Sequence, residues 1–245
     1  MNLYRQIRRL SIDFLVEKIR YAYLDFKYRK HRHPHVFDWN WEDRGFNRVA
    51  LVNHLVSIKG GINCRYLEIG CQINNLFSAV PSFNKTGVDP AAGGTHRMTS
   101  DEFFKLNTES YDVVFVDGLH EYQQVRRDAL NSLEVIEDGG WIAFHDFLPR
   151  TWKEHHMPRI NRTWQGDCWK LAVELSNATG IEFYIVNIDH GVGMMRKVSS
   201  SFEVPCMYED LGNAEFDRFI LEQEKLPIIS FEKALQIIQS PPSES

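Results

Sequence analysis

The 245-residue sequence predicts an α/β fold. Its centre is a mostly parallel seven-stranded sheet with helices on both faces, a C-terminal antiparallel hairpin strand and extra N-terminal helices. Three observations predict it. From residue 64 onward, short apolar runs bounded by turn residues alternate with segments of helical periodicity. Those runs are continuously apolar, as strands covered on both faces are. The last two, 181–189 and 191–198, are separated by a single residue, so they pair as a hairpin.

Residues 3–28 carry apolar side chains at 3, 7, 10 and 14 and again at 12, 15, 19, 22 and 26, an amphipathic helix with a basic opposite face. The segment "KHRHPHVFDWNWEDRG" breaks it at Pro34. A helix over 44–58 ends at Gly60-Gly61. A strand at 64–70 leads into a helix over 73–80 stopped by Pro81, and a strand at 85–90 ends on Asp89. A glycine-containing loop, a brief strand and a helix from about Ser100 follow. Next come a strand at 111–118, a helix over 121–136 and a strand at 139–146. A long loop over 147–167 precedes a helix over 168–180 and the hairpin. Helices near 213–223 and 230–238 and a disordered "PPSES" complete the chain. This divides it into an N-terminal helix and connector (1–43), an α/β domain (44–198) and a C-terminal helical extension (199–245).

Composition narrows the function classes. Hydrophobic residues at 43% and charged ones at 25% suit a globular protein, and a net charge of −5 argues against nucleic acid. Residues 1–32 nevertheless hold nine Lys/Arg against three acids. That basic helix packs on the core as a lid, binds a second subunit to give a homo-oligomer, or, as the least favoured reading, lies on an anionic membrane surface. The four cysteines (64, 71, 168, 206) form no CxxC pair, and no apolar run approaches the roughly 18 residues of a membrane span. A soluble cytoplasmic protein with reduced thiols is expected.

In an open α/β sheet, ligands sit at the carboxyl ends of the strands. Here those ends carry Glu68 and Gly70, then Asp89, Asp117, and His145 with Asp146. The stretch "YLEIGCQINN" begins like a nucleotide loop, yet Gln72 and Asn75 stand where a pyrophosphate needs glycine. No Walker A loop follows any strand. Asp89 lies 19 residues beyond Gly70, suitably placed to accept hydrogen bonds from two ribose hydroxyls. A ligand with a ribose and no phosphate fits this combination.

The series "YLEIGC", "GVDPAAGGTHRMTSDEFF", "FVDGLHEYQQVRRDALNSL", "DGGWIAFHD" and "GDCWKLAVEL" resembles the class I methyltransferases that use S-adenosylmethionine (SAM), more narrowly methyltransferase domain family 24. That group is related to bacterial sugar and antibiotic O-methyltransferases and to catechol O-methyltransferase. The resemblance covers about residues 45–197 and implies a Rossmann-like sheet. It implies that the backbone around Glu68, Gly70 and Cys71 holds the methionine part of SAM and Asp89 the ribose. Ser100 and Asp101 then lie beside the adenine, and Asp117 near the transferred methyl.

A neutral hydroxyl is a poor nucleophile, so methyl transfer to oxygen needs its proton removed or shared. One solution is a divalent cation, Mg²⁺, Mn²⁺ or another, on Asp117, His145 and Asp146. The other is a general base, His145 or His120, near the unperturbed imidazole pKa of roughly 6.5. In the loop after Asp146, Trp152, Trp164 and Trp169 could stack on an acceptor ring, Arg150 could meet an anionic group, and His155-His156 read as solvated or substrate-facing. Asp167 reads as a loop brace or a substrate contact. The expected activity is O-methylation of a small hydroxylated acceptor, a sugar or glycan precursor being the favoured class. Its rivals are a metal-dependent hydroxylase or oxidoreductase on the same sheet, with His120, His145 and Asp117 as a 2-His-1-carboxylate set, and a non-catalytic interaction protein.

Overall fold

A computed structural model describes residues 3–242, with side chains from Phe14 onward except that of Glu42. The helix α1 (Leu3–Lys27) is followed by an extended connector, and α2 (Arg48–Ile58) begins where Asn47 caps it, accepting from Val49 N. Then come β1 (Arg65–Ile69), α3 (Asn75–Ala79), β2 (Asn84–Val88), α4 (Ser100–Leu106), β3 (Tyr111–Val116), α5 (Tyr122–Val135) and β4 (Ile136–Phe144). The second half holds α6 (Trp152–His155), α7 (Trp169–Leu175), β5 (Ile181–Val186), β6 (Val192–Lys197), α8 (Tyr208–Leu211), α9 (Phe216–Glu222), β7 (Ile228–Ile229) and α10 (Phe231–Gln239).

The seven strands form one sheet in the order β2-β1-β3-β4-β6-β5-β7. Pairings are parallel from β2 to β4, β6 runs antiparallel between β4 and β5, and β7 pairs parallel to β5. The expected hairpin is β5–β6. The brief strand expected before Ser100 shrinks to a single bridge between Val88 and His96, because Thr95 and His96 both donate their N–H to Gly87 O. The tail supplies the seventh strand instead, with Ile185 N donating to Pro227 O and Asn187 N to Ile229 O. The helix expected to reach 180 stops at Leu175. Ser176 Oγ there donates to Ala172 O and Asn177 Nδ2 to Val173 O, side-chain bonds that compete with continued helix.

Alternation along the strands splits the core into two layers. Leu67, Ile69, Val114, Val116, Ile142 and Phe144 pack toward α5 and α7, and Tyr66, Val113, Phe115, Trp141 and Ala143 toward α2, α3 and α10. The C-terminal extension joins both, with Phe216 and Phe219 in the first layer and Phe231, Ala234 and Ile238 in the second. The described part of α1 behaves differently: Leu15, Ile19, Tyr23 and Phe26 are exposed, and only Leu24 among its side chains packs against the core. Among the described residues no helix is long and apolar enough to cross a membrane. The last three residues of "PPSES" lie outside the described residues.

Glu174 ties the extension to the sheet. Fully buried on α7, it accepts from Tyr122 Oη at 2.6 Å, Arg126 Nε at 2.7 Å and Met207 N at 2.7 Å. Removing one partner of a buried ion pair leaves an uncompensated charge. Glu174→Ala is therefore expected to cost about 3–5 kcal/mol, read as a lower urea midpoint, with a smaller loss for Glu174→Gln.

Candidate active site

The register of the sheet sets the site. Ile69 lies opposite both Val88 and Val116, and Val116 opposite Phe144. The next residues, Gly70, Asp89, Asp117 and His145, therefore stand side by side at one edge. The antiparallel β6 brings the β5–β6 turn to the same edge, where Leu148 N donates to His190 O at 2.9 Å. A cavity of about 630 Å³ opens here. Gly70, Asp89, Ser100, Asp101, Asp117, His120, His145, Asp146 and Trp164 all line it.

Gly70 has no room for a side chain: its φ is +90° and a Cβ would lie 2.0 Å from Asp117 O. Asp89 organises the turn beyond it, accepting from Gln72 N at 2.9 Å, Ala91 N at 2.7 Å and Ala92 N at 2.8 Å. Burial alone would raise its pKa, and those backbone donors hold it below the usual carboxylate value instead. Gln72 and Asn74 take left-handed φ of 48° and 64°, so the loop bends without the missing glycines. Ser100 and Asp101 are joined through Gln124 Nε2, at 3.1 and 3.2 Å.

Glu68 and Cys71 do not line this cavity. Glu68 is 2% exposed, accepts from Tyr66 Oη at 2.6 Å and borders a separate void of about 30 Å³ with Cys71. Cys71 Sγ donates to Glu68 O at 3.6 Å. Both brace the loop from beneath.

Charge is concentrated at β3 and β4. His120 Nδ1 lies 3.0 Å from Trp164 O and 3.0 Å from Asp146 Oδ2. A carbonyl oxygen only accepts, so Nδ1 carries a hydrogen and the lone pair of the neutral ring sits on Nε2, which is 3.4 Å from Asp117 Oδ1. Trp164 stacks on the same imidazole at 5.3 Å. Ligand atoms of Asp117, His120 and Asp146 all fall within 4.8 Å of one another. Two carboxylates and one imidazole on a cavity wall fit a divalent cation. His145, placed in this set from the sequence, touches both carboxylates with Nδ1, at 3.3 Å each, while its Nε2 is buried without a hydrogen-bond partner. That Nε2 lies 3.7 Å from Asp189 Oδ1.

Burial would lower both imidazole pKa values, but the charges of Asp146 and Asp117 outweigh it. His120 is carried up to about 10 and His145 well above its ordinary value. Burial in turn would raise Asp117 and Asp146, and the two imidazolium charges hold both below the usual range.

The sequence reading missed Arg48, Asp189 and His190. Asp189 Oδ2 accepts from Arg48 N at 3.1 Å and from Arg48 Nη1 at 2.7 Å. The available signal was an acid and a histidine at the tip of a hairpin due to land at the ligand-binding edge.

Other expectations fall differently. Trp152 and Trp169 are buried in the core, Trp169 Nε1 donating to His155 Nδ1 at 3.0 Å, so neither presents a face to an acceptor. His155 and His156 are buried as well, not solvated. Arg150 is bonded to Glu154 at 3.0 Å and lines a neighbouring cavity. Asp167 braces the loop, accepting from Tyr122 N at 2.7 Å and pairing with Lys170 at 3.0 Å.

Residues 66–147 match the family described as "Methyltransferase domain". That stretch of the chain thus resembles a methyltransferase domain. It is 35% identical over 118 residues to "Uncharacterized protein R132" of Acanthamoeba polyphaga mimivirus, an overlap of 46% of this chain and 52% of that one. The chain thus spans about half the length of the curated relative it matches. Among solved structures, it is similar to the MycE methyltransferase of the mycinamycin biosynthetic pathway in complex with Mg and S-adenosylhomocysteine (SAH), at 16% identity, TM-score 0.40, covering 60% of this chain and 48% of that. It is similar to the O-methyltransferase from Bacillus cereus in complex with SAH (13%, TM-score 0.42, covering 70% and 87%). The SAH-bound methyltransferase PaMTH1 of Podospora anserina gives 14%, TM-score 0.46, covering 80% and 97%. The methyltransferase domain match encloses Glu68, Gly70, Asp89, Asp117, His120, His145 and Asp146 and leaves Arg48, Trp164, Asp189 and His190 outside.

Glu68 beneath the Gly70–Gln72 loop yields a pH prediction. Burial raises its pKa from 4.5 to about 7, despite the opposing Tyr66 bond. A raised folded pKa adds stability that is complete below the unfolded value and disappears as pH rises through the folded one. Between pH 4.5 and 7, wild type should lose on the order of 3 kcal/mol relative to Glu68→Gln. Urea unfolding of both proteins at pH 5 and pH 8 reads the difference, and a pH-independent gap contradicts the assignment.

Proposed function

We propose that the protein is a SAM-dependent O-methyltransferase acting on a hydroxyl of a small acceptor, a sugar or glycan precursor being the favoured class. The observation that carries this is the alignment of Gly70, Asp89, Asp117 and His145 along one cavity, next to the Asp117–His120–Asp146 cluster. About 630 Å³ lies within the usual range of small-molecule sites. Asp89 offers its remaining acceptor capacity to the ribose hydroxyls, and Ser100 and Asp101 flank the adenine. Glu68 and Cys71 hold the loop whose backbone, through Gly70, faces the methionine part. Asp117 stands by the sulfonium. The four free thiols agree with a cytoplasmic setting.

SAM supplies an electrophilic methyl group, and a divalent cation held by Asp117, His120 and Asp146 would lower the pKa of a hydroxyl beside it. The chain's own residues do the rest. Trp164 closes over His120 and keeps its Nδ1 hydrogen pointed at the loop carbonyl. His145 Nδ1 shares its proton between the two carboxylates and so fixes their orientation. In line with that, Asp146 is held in the left-handed region at a φ of 67°, a conformation of order 1–3 kcal/mol above the ordinary ones for a non-glycine residue. His120, with a hydrogen on Nδ1 and its Nε2 lone pair turned to Asp117, would serve as a ligand, which leaves the unpartnered Nε2 of His145 as the imidazole nitrogen able to accept the proton the hydroxyl gives up.

Two outcomes follow. Asp89→Ala should weaken SAH binding by more than about 10-fold in titration calorimetry with an unchanged circular dichroism spectrum, since charge-assisted hydrogen bonds of this type contribute about 1.5–3 kcal/mol. An unchanged affinity would move the ribose contact elsewhere. Methyl transfer should also stop in excess chelator and return on addition of Mn²⁺ or Mg²⁺, whereas full activity in chelator would leave the imidazoles as the sole bases.

A further inference from the structure

A second cavity of about 450 Å³ adjoins the first, sharing Thr163 and His190 with it. Its outer wall comes from the connector, through Trp41, Arg44, Gly45, Phe46 and Asn47, and its inner wall includes Arg150 and Asp189. The connector is firmly seated. Trp41 Nε1 donates to Asn187 Oδ1 at 3.0 Å, its ring meets His190 edge-on at 4.9 Å, and Phe46 stacks on Phe231 at 4.0 Å. Phe37 N donates to Arg150 O at 2.9 Å. A chain segment outside the methyltransferase domain match therefore forms a fixed wall beside the reacting groups.

Among the described residues, the charged groups of this cavity are not all paired. Asp189 is taken by Arg48 at 2.7 Å, and Arg150 is paired with Glu154 at 3.0 Å. Arg44 is half-buried, and among the described residues its guanidinium makes no hydrogen bond or ion pair. Its backbone N–H donates to Trp41 O at 3.0 Å. Its charge also acts on the exposed Glu232, adding to the backbone and Ser230 hydrogen bonds that hold that carboxyl below its usual value. Among the described residues, the cavity thus presents the Trp41 indole, with Arg150 over its ring at 5.5 Å, the Thr163 hydroxyl, and the Arg44 guanidinium without a hydrogen bond or ion pair.

We propose that this cavity binds an anionic group of the acceptor, a carboxylate or phosphate, on Arg44, with the acceptor body against Trp41. The hydroxyl to be methylated then faces His120 and Asp146 across the shared Thr163–His190 border. The inference rests on the methyl-transfer reading for what happens at that border, but the anion site itself can be tested without it. Arginine suits such a group because its planar donors match carboxylate and phosphate oxygens in pairs.

Glucuronate, glucose 6-phosphate and glucose are titrated by saturation-transfer NMR against the full chain, with and without SAH. Measured alongside are Arg44→Ala, Arg44→Lys and Gly45→Leu. The last adds bulk to the cavity wall at a position where a Cβ meets nothing within 4 Å beyond its chain neighbours, and it leaves the Arg44 charge in place. The two charged sugars separate a carboxylate site from a phosphate site. At least one of them should bind about 10-fold tighter than glucose, Arg44→Ala should erase that preference, Arg44→Lys should keep part of it, and Gly45→Leu should weaken both. SAH affinity should be the same in all four proteins. Equal binding of charged and neutral sugars, no binding of either charged sugar, or a preference that survives Arg44→Ala overturns the proposal. Absence of SAH binding in wild type sinks the methyl-transfer reading alone, since the sugar titrations without SAH still decide the anion site.

Discussion

The closeness of the β1 and β3 ends governs everything at the ligand edge. Asp117 N donates to Ile69 O at 2.8 Å, and the Asp117 carbonyl then lies where a side chain at residue 70 would begin. Only glycine lets the two strand ends meet at this distance, and its positive φ turns the chain away at once. The turn carries Gln72 back to Asp89, while Asp117 stays beside His145. Register and one missing Cβ together bring a backbone loop, the Asp89 carboxylate and a charged cluster to one cavity.

The cluster is stable because its charges are matched within it. Asp117 and Asp146 share His120 and His145, and Asp189 takes Arg48. Buried alone, each of these groups would cost several kcal/mol or shift to its neutral form. The backbone bears some strain for this, since Asp146, Asp189 and His190 all adopt left-handed φ without being glycine. Such residues gather at functional sites because surrounding packing holds them there. The neighbours that hold them are Phe147 and Leu148, fully buried, with Gly191 pressed against the Leu148 side chain.

Much of this was legible in the sequence, for a physical reason. Period-2 and period-3.6 patterns mark strands and helices, and parallel topology then forces strand-end residues together, so Gly70, Asp89, Asp117 and His145 could be named without a structure. The direction of each side chain was not legible. Trp152 and Trp169 looked like stacking surfaces, but their loop folds inward, with Arg150 N bonded to Glu154 and Trp169 Nε1 to His155. Asp189 read only as the end of a strand because its partner, Arg48, lies 141 positions away. β7 escaped notice because two isoleucines carry no periodicity, and their pairing depends on the edge of β5 being available. The third strand was overestimated because the Gly93–Gly94 turn returns the chain to Gly87 before a ladder can grow.

The connector and the C-terminal extension frame what the domain match leaves open, one walling the neighbouring cavity and the other completing both core layers. The central claim remains the placement of SAM at the β1–β3 junction. A crystal structure of the chain grown with SAH tests it most directly. The account predicts the ribose on Asp89, the adenine beside Ser100 and Asp101, and the sulfur beside Asp117 facing the His120–Asp146 pair. SAH bound elsewhere, or a cavity that stays free of it at saturating concentration, would contradict the account.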